Sequence, residues 1–333
     1  MDSLTQIVLG ASVGEVVLGK KVGNKAMLYG AIAGTIPDLD VLSSYFVDTV
    51  TYTEWHRGFS HSILFSLLFA PVFGWLIFKI EKKSGVSWRE WSTLMFWGLF
   101  THPILDSFTT WGTQLFWPFD LRLAFQNIFV IDPIYTLPFL FFLILTMREH
   151  RLSPARRKYN RMGLMVSTAY LAVTILLKGI TYKKFTDNLE DQEIAYEQIQ
   201  TRPTPFNSIL WTANVDAGNE YLIGEYSLFD TKPIVFRPYP KNHDLLGELA
   251  GEDKLNRLIK ITEGWYTISQ KKQTLLFNDL RFGLINLNPI DPKFAFSYKL
   301  FKINNKVIVE ETPKFKEDAQ NVLIDLWARI WGN

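Results

Sequence analysis

The sequence predicts a polytopic α-helical membrane domain of about six spans, followed by a small extracytoplasmic α+β domain. Three observations support this fold class. Long apolar runs are confined to the chain before about residue 180, basic residues gather in alternate connections between them, and short β-rich runs follow. The expected boundaries are a transmembrane domain at 1–180, a linker at 181–205 and a soluble domain at 206–333.

The predicted membrane domain rests on six apolar segments. Four are strong runs: Ser62–Phe78, Trp91–Leu105, Pro133–Met147 and Met162–Leu177. Two weaker segments, Leu4–Leu18 and Ala26–Pro37, are rich in small residues that suit close packing of helices within a membrane. Each strong run falls slightly short of the ~20 residues that a spanning helix needs, and flanking aromatic and basic residues extend it. Glu15, inside the first segment, is expected to pair with a neighbouring helix.

Charge sets the predicted orientation of these segments. Basic residues lie in the first, third and fifth connections: Lys20, Lys21, Lys25, Lys79, Lys82, Lys83, Arg148, Arg151, Arg156, Arg157, Lys158 and Arg161. Connections rich in Lys and Arg stay in the cytoplasm. The remaining connections and both termini are therefore expected outside the membrane.

The second half of the chain has the character of a soluble domain. A charged, partly helical stretch ends at Arg202-Pro203-Thr204-Pro205. Six β-rich runs follow: Ile209–Val215, Tyr221–Leu228, Trp265–Ser269, Thr274–Asn278, Phe294–Ile303 and Lys306–Glu311. The alternation in Phe294–Ile303 is typical of an antiparallel sheet with one wet face. Helices are expected at Asp244–Ile261 and Asp318–Ile330.

Composition excludes several classes of function. A net charge of +2 argues against a general nucleic-acid binder, because such proteins gain affinity by neutralising phosphates. The chain has no cysteine, which excludes thiolate metal sites, disulfides and a cysteine nucleophile.

Histidine and aspartate residues cluster at the predicted outer ends of the spans. Ionisable residues near membrane depth are costly and carry a functional hypothesis first. The candidate metal ligands are Asp38, Asp40, His56, His61, His102, Asp106 and Asp132. Imidazole and carboxylate together suit zinc, or a mixed site with manganese or iron. We expect one to three divalent ions, with zinc favoured.

Spacing refines the expectation for individual residues. His102 and Asp106 are four apart, so an unbroken helix places both on one face, although Pro103 bends it. His56 and His61, five apart around Gly58, suit a loop followed by the first turn of a helix. Asp132, before Pro133, is either a ligand or a helix cap.

Two further residues are candidates for catalysis. Arg57 is a candidate for binding a substrate phosphate, and a headgroup or surface contact is its alternative. Glu54 is a candidate general base, and a plain exposed carboxylate is its alternative.

At these residues the chain resembles the YdjM-type family of membrane-bound, metal-dependent hydrolases. The matching pieces are Met1–Gln6, Pro37–Asp40, His56–Ser62, Thr101–Asp106 and the Asp132-Pro133 pair. That family is distantly similar to zinc-dependent phospholipase C and the single-strand nucleases, which are helical and hold a metal cluster with His and Asp. By this similarity the ligands would be Asp38, Asp40, His56, His61, His102 and Asp106. Many relatives carry His where this chain has Gln6, which leaves the number of metals open.

The resulting hypothesis is an integral enzyme of the plasma or bacterial inner membrane that hydrolyses a phosphoester. The site would lie on the extracytoplasmic side and use metal-activated water on a lipid or lipid-linked substrate. A non-catalytic membrane protein that binds or transports metal, or serves as a scaffold, is the alternative, because intramembrane His and Asp also line ion pathways. The sequence leaves the oligomeric state and the role of the second half open.

Overall fold

The computed structural model describes residues 1–272, 274–286, 292–303, 306–312 and 319–333, which divide into two compact units. The first unit contains residues 1–42, 55–177 and 205–207. The second contains residues 43–54, 178–204 and 208–333. The predicted linker at 181–205 holds the end of a long helix and the first strand, and nearly all of it belongs to the second unit.

The first unit is helical. Its helices are α1 Ser3–Val22, α2 Asn24–Thr35, α4 Ile63–Ile80, α5 Trp88–Asp106, α6 Pro133–Arg148 and the greater part of α7 Pro154–Asp191. A 3-10 helix, Ile36–Tyr45, continues directly from α2, and a 3-10 turn, Phe59–His61, precedes α4. Both α1 and α4 begin at a side-chain cap, because Asp2 accepts from Thr5 N and Ser62 accepts from Phe65 N.

The prediction of about six spans is wrong. Within the described residues, two helices are long and apolar enough to cross a membrane, α4 and α7. At 1.5 Å per residue, the 12-residue α2 reaches only about 18 Å, and the 16-residue α6 is also short for ~30 Å of hydrocarbon. Charged residues lower the hydropathy of the other two helices: Glu15 and two lysines in α1, Arg89 and Glu90 in α5.

Glycines bring α1 and α2 into backbone contact. Gly10 and Gly14 on α1 face Gly30 and Gly34 on α2, so that a Cβ atom added to Gly10 would lie 2.2 Å from the carbonyl oxygen of Gly30. A Cβ atom on Gly34 would lie 2.5 Å from the carbonyl oxygen of Gln6. The close packing expected from the small residues of both segments is therefore present.

A buried ion pair in the second half of α1 links four helices. Arg156 on α7 donates to both carboxylate oxygens of Glu15, at 2.7 and 2.5 Å, and both side chains are almost fully buried. The same guanidinium donates to Asn24 Oδ1 at 2.8 Å and to the carbonyl oxygen of Thr146. The expected pairing of Glu15 with a neighbouring helix is confirmed.

The second unit is an antiparallel β domain rather than the expected α+β domain, because two four-stranded sheets form its framework. One sheet has the order β1-β2-β3-β4, with strands Gln198–Pro203, Leu210–Asp216, Glu220–Ser227 and Arg237–Pro240. The other has the order β5-β6-β7-β8, with strands Tyr266–Lys271, Thr274–Asn286, Lys293–Ile303 and Lys306–Glu311. All six predicted β-rich runs coincide with strands.

Short helices complete the second unit. A 3-10 segment His243–Leu249 and α8 Asp253–Ile261 occupy the first predicted helix, and α9 Ala319–Ile330 occupies the second, whose expected first residue, Asp318, lies outside the described residues. A further helix, α3 Thr49–Trp55, contributes Val50 to the core that contains Leu255, Phe277 and Leu300. The segment 43–54 is thus part of the second unit, although its neighbours in sequence belong to the first.

The backbone contact predicts an unusual response to alanine. Replacing a glycine inside a helix by alanine ordinarily stabilises it by about 1 kcal/mol. Gly30→Ala should instead lower the thermal unfolding midpoint of the purified protein, because its Cβ atom would overlap the carbonyl oxygen of Gly10. The control is Gly179→Ala on α7, where an added Cβ meets nothing within 4 Å. Equal midpoints for the two variants would contradict the contact.

Candidate metal centre

Four of the predicted ligands come together in the first unit. They are Asp38, His61, His102 and Asp106, whose ligand atoms all lie within 4.8 Å of one another. Asp38 lies on the 3-10 helix after α2, and His61 ends the 3-10 turn before α4. The other two lie one turn apart on α5, which continues through Pro103. Both histidines and Asp106 are fully buried, whereas Asp38 is about one fifth exposed.

Five of the six distances between these atoms are close to the edges of a tetrahedron around an ion, and the sixth lies within 4.8 Å. His61 Nε2 lies 3.1 Å from His102 Nε2 and 3.5 Å from Asp38 Oδ1 and Asp106 Oδ2. His102 Nε2 lies 3.4 Å from Asp38 Oδ1 and 3.5 Å from Asp106 Oδ2. Zinc–ligand bonds of about 2.0–2.1 Å in tetrahedral geometry give ligand–ligand distances of about 3.3 Å. One divalent ion therefore fits among the four atoms.

Hydrogen bonds on the far side of each ring orient both imidazoles. His102 Nδ1 lies 2.6 Å from the carbonyl oxygen of Gly34, which fixes Nε2 toward the cluster. His61 Nδ1 lies 3.0 Å from Ser60 Oγ and 3.5 Å from Asp40 Oδ2. Metal-binding histidines in proteins use their second nitrogen in this way.

Two buried oxygens, one in the cluster and one beside it, also fit a bound cation. Gln6 donates through Nε2 to Asp106 Oδ1 at 2.9 Å and to the carbonyl oxygen of His102 at 3.2 Å, and its Oε1 is buried without a hydrogen-bond donor. Asp106 Oδ2 is likewise buried without a hydrogen bond, although Arg57 Nε lies 3.0 Å away as an ion pair. The α-amino group of Met1 also donates to Asp106. Buried oxygens without donors are costly unless a cation neutralises them.

Asp40 and His56 lie beside the four-residue cluster rather than in it. His56 Nδ1 is 3.0 Å from Asp40 Oδ1, and the second oxygen of Asp40 accepts from the backbone N–H of Arg57 at 2.8 Å. Asp40 thus contacts both His56 and His61. Because the 3-10 helix has three residues per turn, residues two apart, such as Asp38 and Asp40, point in different directions.

Burial and hydrogen bonding shift the pKa values of Asp38 and Asp40 in opposite directions. Burial tends to raise the pKa of Asp38, but hydrogen bonds from His102 and His61 hold that pKa well below its ordinary value. Burial also tends to raise the pKa of Asp40, and the hydrogen bond from His56 outweighs it and lowers the pKa. Burial lowers the pKa of His56 itself. These shifts favour carboxylates and a neutral imidazole, which are the forms that bind metals.

Arg57 is buried against the cluster. Its Nη1 donates to Thr109 Oγ1 at 2.8 Å, and its backbone has a positive φ of 57°. Its Nη2 group makes no hydrogen bond within the residues that the structure describes. A second arginine, Arg122, donates to the carbonyl oxygen of His56 at 3.3 Å and lies over the ring of Trp111. The sequence reasoning missed Arg122 and Thr109, since neither belongs to a recognisable motif.

The structure places Asp132 and Glu54 elsewhere. Asp132 caps α6, accepting from the N–H groups of Ile134 and Tyr135, and its other oxygen accepts from Tyr170 at 2.9 Å. This is the helix-cap alternative. Glu54 belongs to the second unit, where Arg257 donates to its carboxylate at 2.5 Å.

The apolar helices and the buried His–Asp cluster define a membrane protein with a candidate metal centre. The chain belongs to the YdjM inner membrane protein family, whose model matches residues 1–181. The resemblance suggested by the sequence motifs is therefore confirmed, and the matched region contains every residue of the cluster.

One curated relative is the Inner membrane protein YbcI of Escherichia coli (strain K12), which is 36% identical over 101 residues. The match covers 30% of this chain and 57% of the relative, so the chain spans little more than half of the relative's length. No solved structure matches. Both names support a location in the inner membrane.

The cluster predicts metal binding that depends on its histidines. We expect the purified protein to carry a divalent ion, and His61→Ala and His102→Ala to reduce metal affinity by more than the 10–100-fold that changes to outer contacts cost. Elemental analysis and calorimetric titration with zinc measure both. His150→Ala is the control, because that side chain is exposed and outside the cluster. A full complement of metal in His61→Ala would contradict the site.

Gln6 provides a second, independent test. Gln6→Leu keeps a similar volume but removes the donor to Asp106 and the buried Oε1, so zinc affinity should fall about 10–100-fold. The matched control is Gln198→Leu, at an exposed position of β1. An unchanged zinc dissociation constant in Gln6→Leu would show that this side chain does not support the site.

Proposed function

We propose that this protein is a membrane-embedded, metal-dependent hydrolase that cleaves a phosphoester at the outer face of the membrane. The near-tetrahedral spacing of two imidazole nitrogens and two carboxylate oxygens carries the proposal. Such a mixed nitrogen and oxygen set favours zinc over magnesium or calcium. The family supports the membrane location, and the hydrolytic activity is the proposal.

The reaction is the displacement of an alcohol from phosphorus by water. Asp38, His61, His102 and Asp106 would hold a divalent ion, which would supply Lewis acidity to activate water near neutral pH. Water oxygen forms a bond to phosphorus, the bond from phosphorus to the alcohol oxygen breaks, and the two protons of water end on the departing alcohol and the solvent. The chain must then hold the phosphoryl group and carry the protons.

Arg57 supports the choice of a phosphoester. Guanidinium groups bind phosphate oxygens through paired N–H donors. Two contacts, to Asp106 and Thr109, hold the Arg57 side chain in place and leave its Nη2 donors for a ligand. The positive charge lies next to the cluster, where a phosphoryl oxygen would need it. This is the role that the sequence suggested for Arg57.

His56 is the best-placed group for proton transfer. A carboxylate that hydrogen-bonds one nitrogen of an imidazole orients the ring and stabilises its protonated form, as in other acid–base pairs. Asp40 does this for His56 at 3.0 Å, and the His56 side chain remains about one fifth exposed. We do not assign this role to Glu54, because Arg257 engages its carboxylate.

The two apolar helices support the outer location of the site. Lys79 lies in the last turn of α4 and Lys82 and Lys83 follow that turn, while His61 precedes the beginning of the helix. Arg156 and Arg157 lie near the beginning of α7. Lys and Arg remain on the cytoplasmic side, so we expect the cluster end of α4 to face outward. The end of α7 is then expected on the same side, and the second unit outside the cytoplasm.

Two histidine variants separate metal binding from catalysis. We expect the purified protein to hydrolyse phosphatidic acid or phosphatidylglycerol, and a chelator to abolish turnover. His56→Ala should retain its metal and lose about 10²–10⁴-fold in kcat, as expected for loss of an acid–base group. His61→Ala should lose both metal and turnover.

The contradicting results are distinct. Loss of metal in His56→Ala would make that residue a ligand instead of a proton carrier. A fully metal-loaded protein that cleaves no phosphoester would overturn the hydrolase and leave a non-catalytic metal-binding membrane protein. Lys183→Ala, at an exposed ion pair of α7, is the control for both measurements.

A further inference from the structure

An apolar groove lies beside the cluster in the first unit. It encloses about 320 Å³ and is lined by Ile7, Ala31, Ile32, Thr35, Ile36 and Leu39. That volume is at the lower end of the range for ligand sites. Thr35, the one polar residue in the lining, donates its hydroxyl to the carbonyl oxygen of Ala31 at 2.9 Å. The groove therefore offers no free hydrogen-bonding side chain to a ligand, and its chemistry suits hydrocarbon.

The lining residues and the cluster share the same two stretches of chain. Ile36 and Leu39 flank Asp38, whose Oδ1 lies 3.4 Å from His102 Nε2. On the other wall, Ile7 follows Gln6, which donates to Asp106. The groove is therefore built by residues adjacent in sequence to Asp38 and Gln6, and Asp38 is the partly exposed edge of the cluster.

The 3-10 helix extends the apolar surface away from the groove. Three residues complete one turn, so Ile36, Leu39 and Leu42 align along one side. Leu39 and Leu42 are each 51% exposed, and Ile32 on α2 is 43% exposed. At ~2 Å per residue this stripe continues for about 12 Å. The shape is a narrow apolar track that begins at Ile36, two residues before Asp38.

We infer that this groove binds one hydrocarbon chain of a membrane phospholipid whose phosphorylated headgroup lies at the cluster. The inference rests on the proposed function and specifies its substrate class as a lipid rather than a water-soluble phosphoester. The protein belongs to an inner membrane family, so lipid is the apolar ligand that always surrounds it. Each methylene that the groove buries adds to the binding free energy, so the groove discriminates by acyl-chain length.

The first experiment compares two substrates with the same headgroup. The full-length protein is assayed on dioleoyl and dihexanoyl phosphatidic acid, and the same pair is repeated with phosphatidylglycerol. Ile32→Trp fills the groove and should lower kcat/KM for the dioleoyl lipid at least tenfold, while the dihexanoyl lipid changes less than twofold. Leu28→Trp is the control, since Leu28 is 56% exposed on the same helix and does not line the groove.

Two kinetic results would overturn the inference while leaving the hydrolase intact. One is equal kcat/KM for long and short chains in the unsubstituted protein. The other is a loss in Ile32→Trp that falls equally on both substrates, or that Leu28→Trp reproduces. If neither lipid is cleaved at full metal loading, the proposed function fails, and the groove is judged by the second experiment alone.

The second experiment needs no turnover. The protein is placed in phosphatidylcholine vesicles with phosphatidylglycerol that carries a diazirine in one acyl chain, and photolabelled residues are mapped by mass spectrometry. Labelling concentrated on Ile32 and Leu39, and lost in Ile32→Trp, supports a chain in the groove. Even labelling of Leu28 and the groove residues would make the groove ordinary lipid-facing surface and would overturn the inference.

Discussion

The backbone contact between α1 and α2 is the constraint on which the candidate centre depends. Four glycines let the two helices approach more closely than any side chain would allow. That approach brings Gln6 of α1 to Asp106 and lets the carbonyl oxygen of Gly34 hold His102. Asp38 follows on the 3-10 helix that continues directly from α2. The geometry of the candidate metal centre therefore depends on glycines that have no side chain to bind a metal.

The centre concentrates negative charge. Asp106 is fully buried and pairs with Arg57 and with the α-amino group of Met1, while Asp38 and Asp40 contact His61. Buried carboxylates are tolerated when they are paired or coordinate a metal. Another buried carboxylate, Glu15, accepts two hydrogen bonds from Arg156. Glu15 is paired with an arginine, whereas the cluster combines two imidazoles with its carboxylates and so offers a set of metal ligands.

The sequence predicted the membership of the site better than its roles. Ionisable residues inside or beside apolar helices are costly, and this cost singled out seven candidate ligands, of which the structure groups Asp38, His61, His102 and Asp106. The sequence did not show that Asp40 and His56 pair with each other beside the cluster. Which of Asp38 and Asp40 enters the cluster depends on a 3-10 helix, in which three residues complete a turn. The number of spans was wrong for a related reason. Apolar runs do not distinguish a helix that faces lipid from one that packs against other helices.

The sequence also did not predict that α3 packs in the second unit, because Val50 contacts residues that are too distant in sequence for any local pattern to indicate.

This packing of α3 has a consequence for biosynthesis. Val50 leaves the ribosome long before Leu255 and Leu300, its partners in the core. At about 5–20 residues per second, translation leaves α3 without those partners for on the order of ten seconds or longer. The short segment between Asp40 and His56 must remain unfolded or protected during that interval, so the last strands to be translated complete a structure that the first fifty residues began.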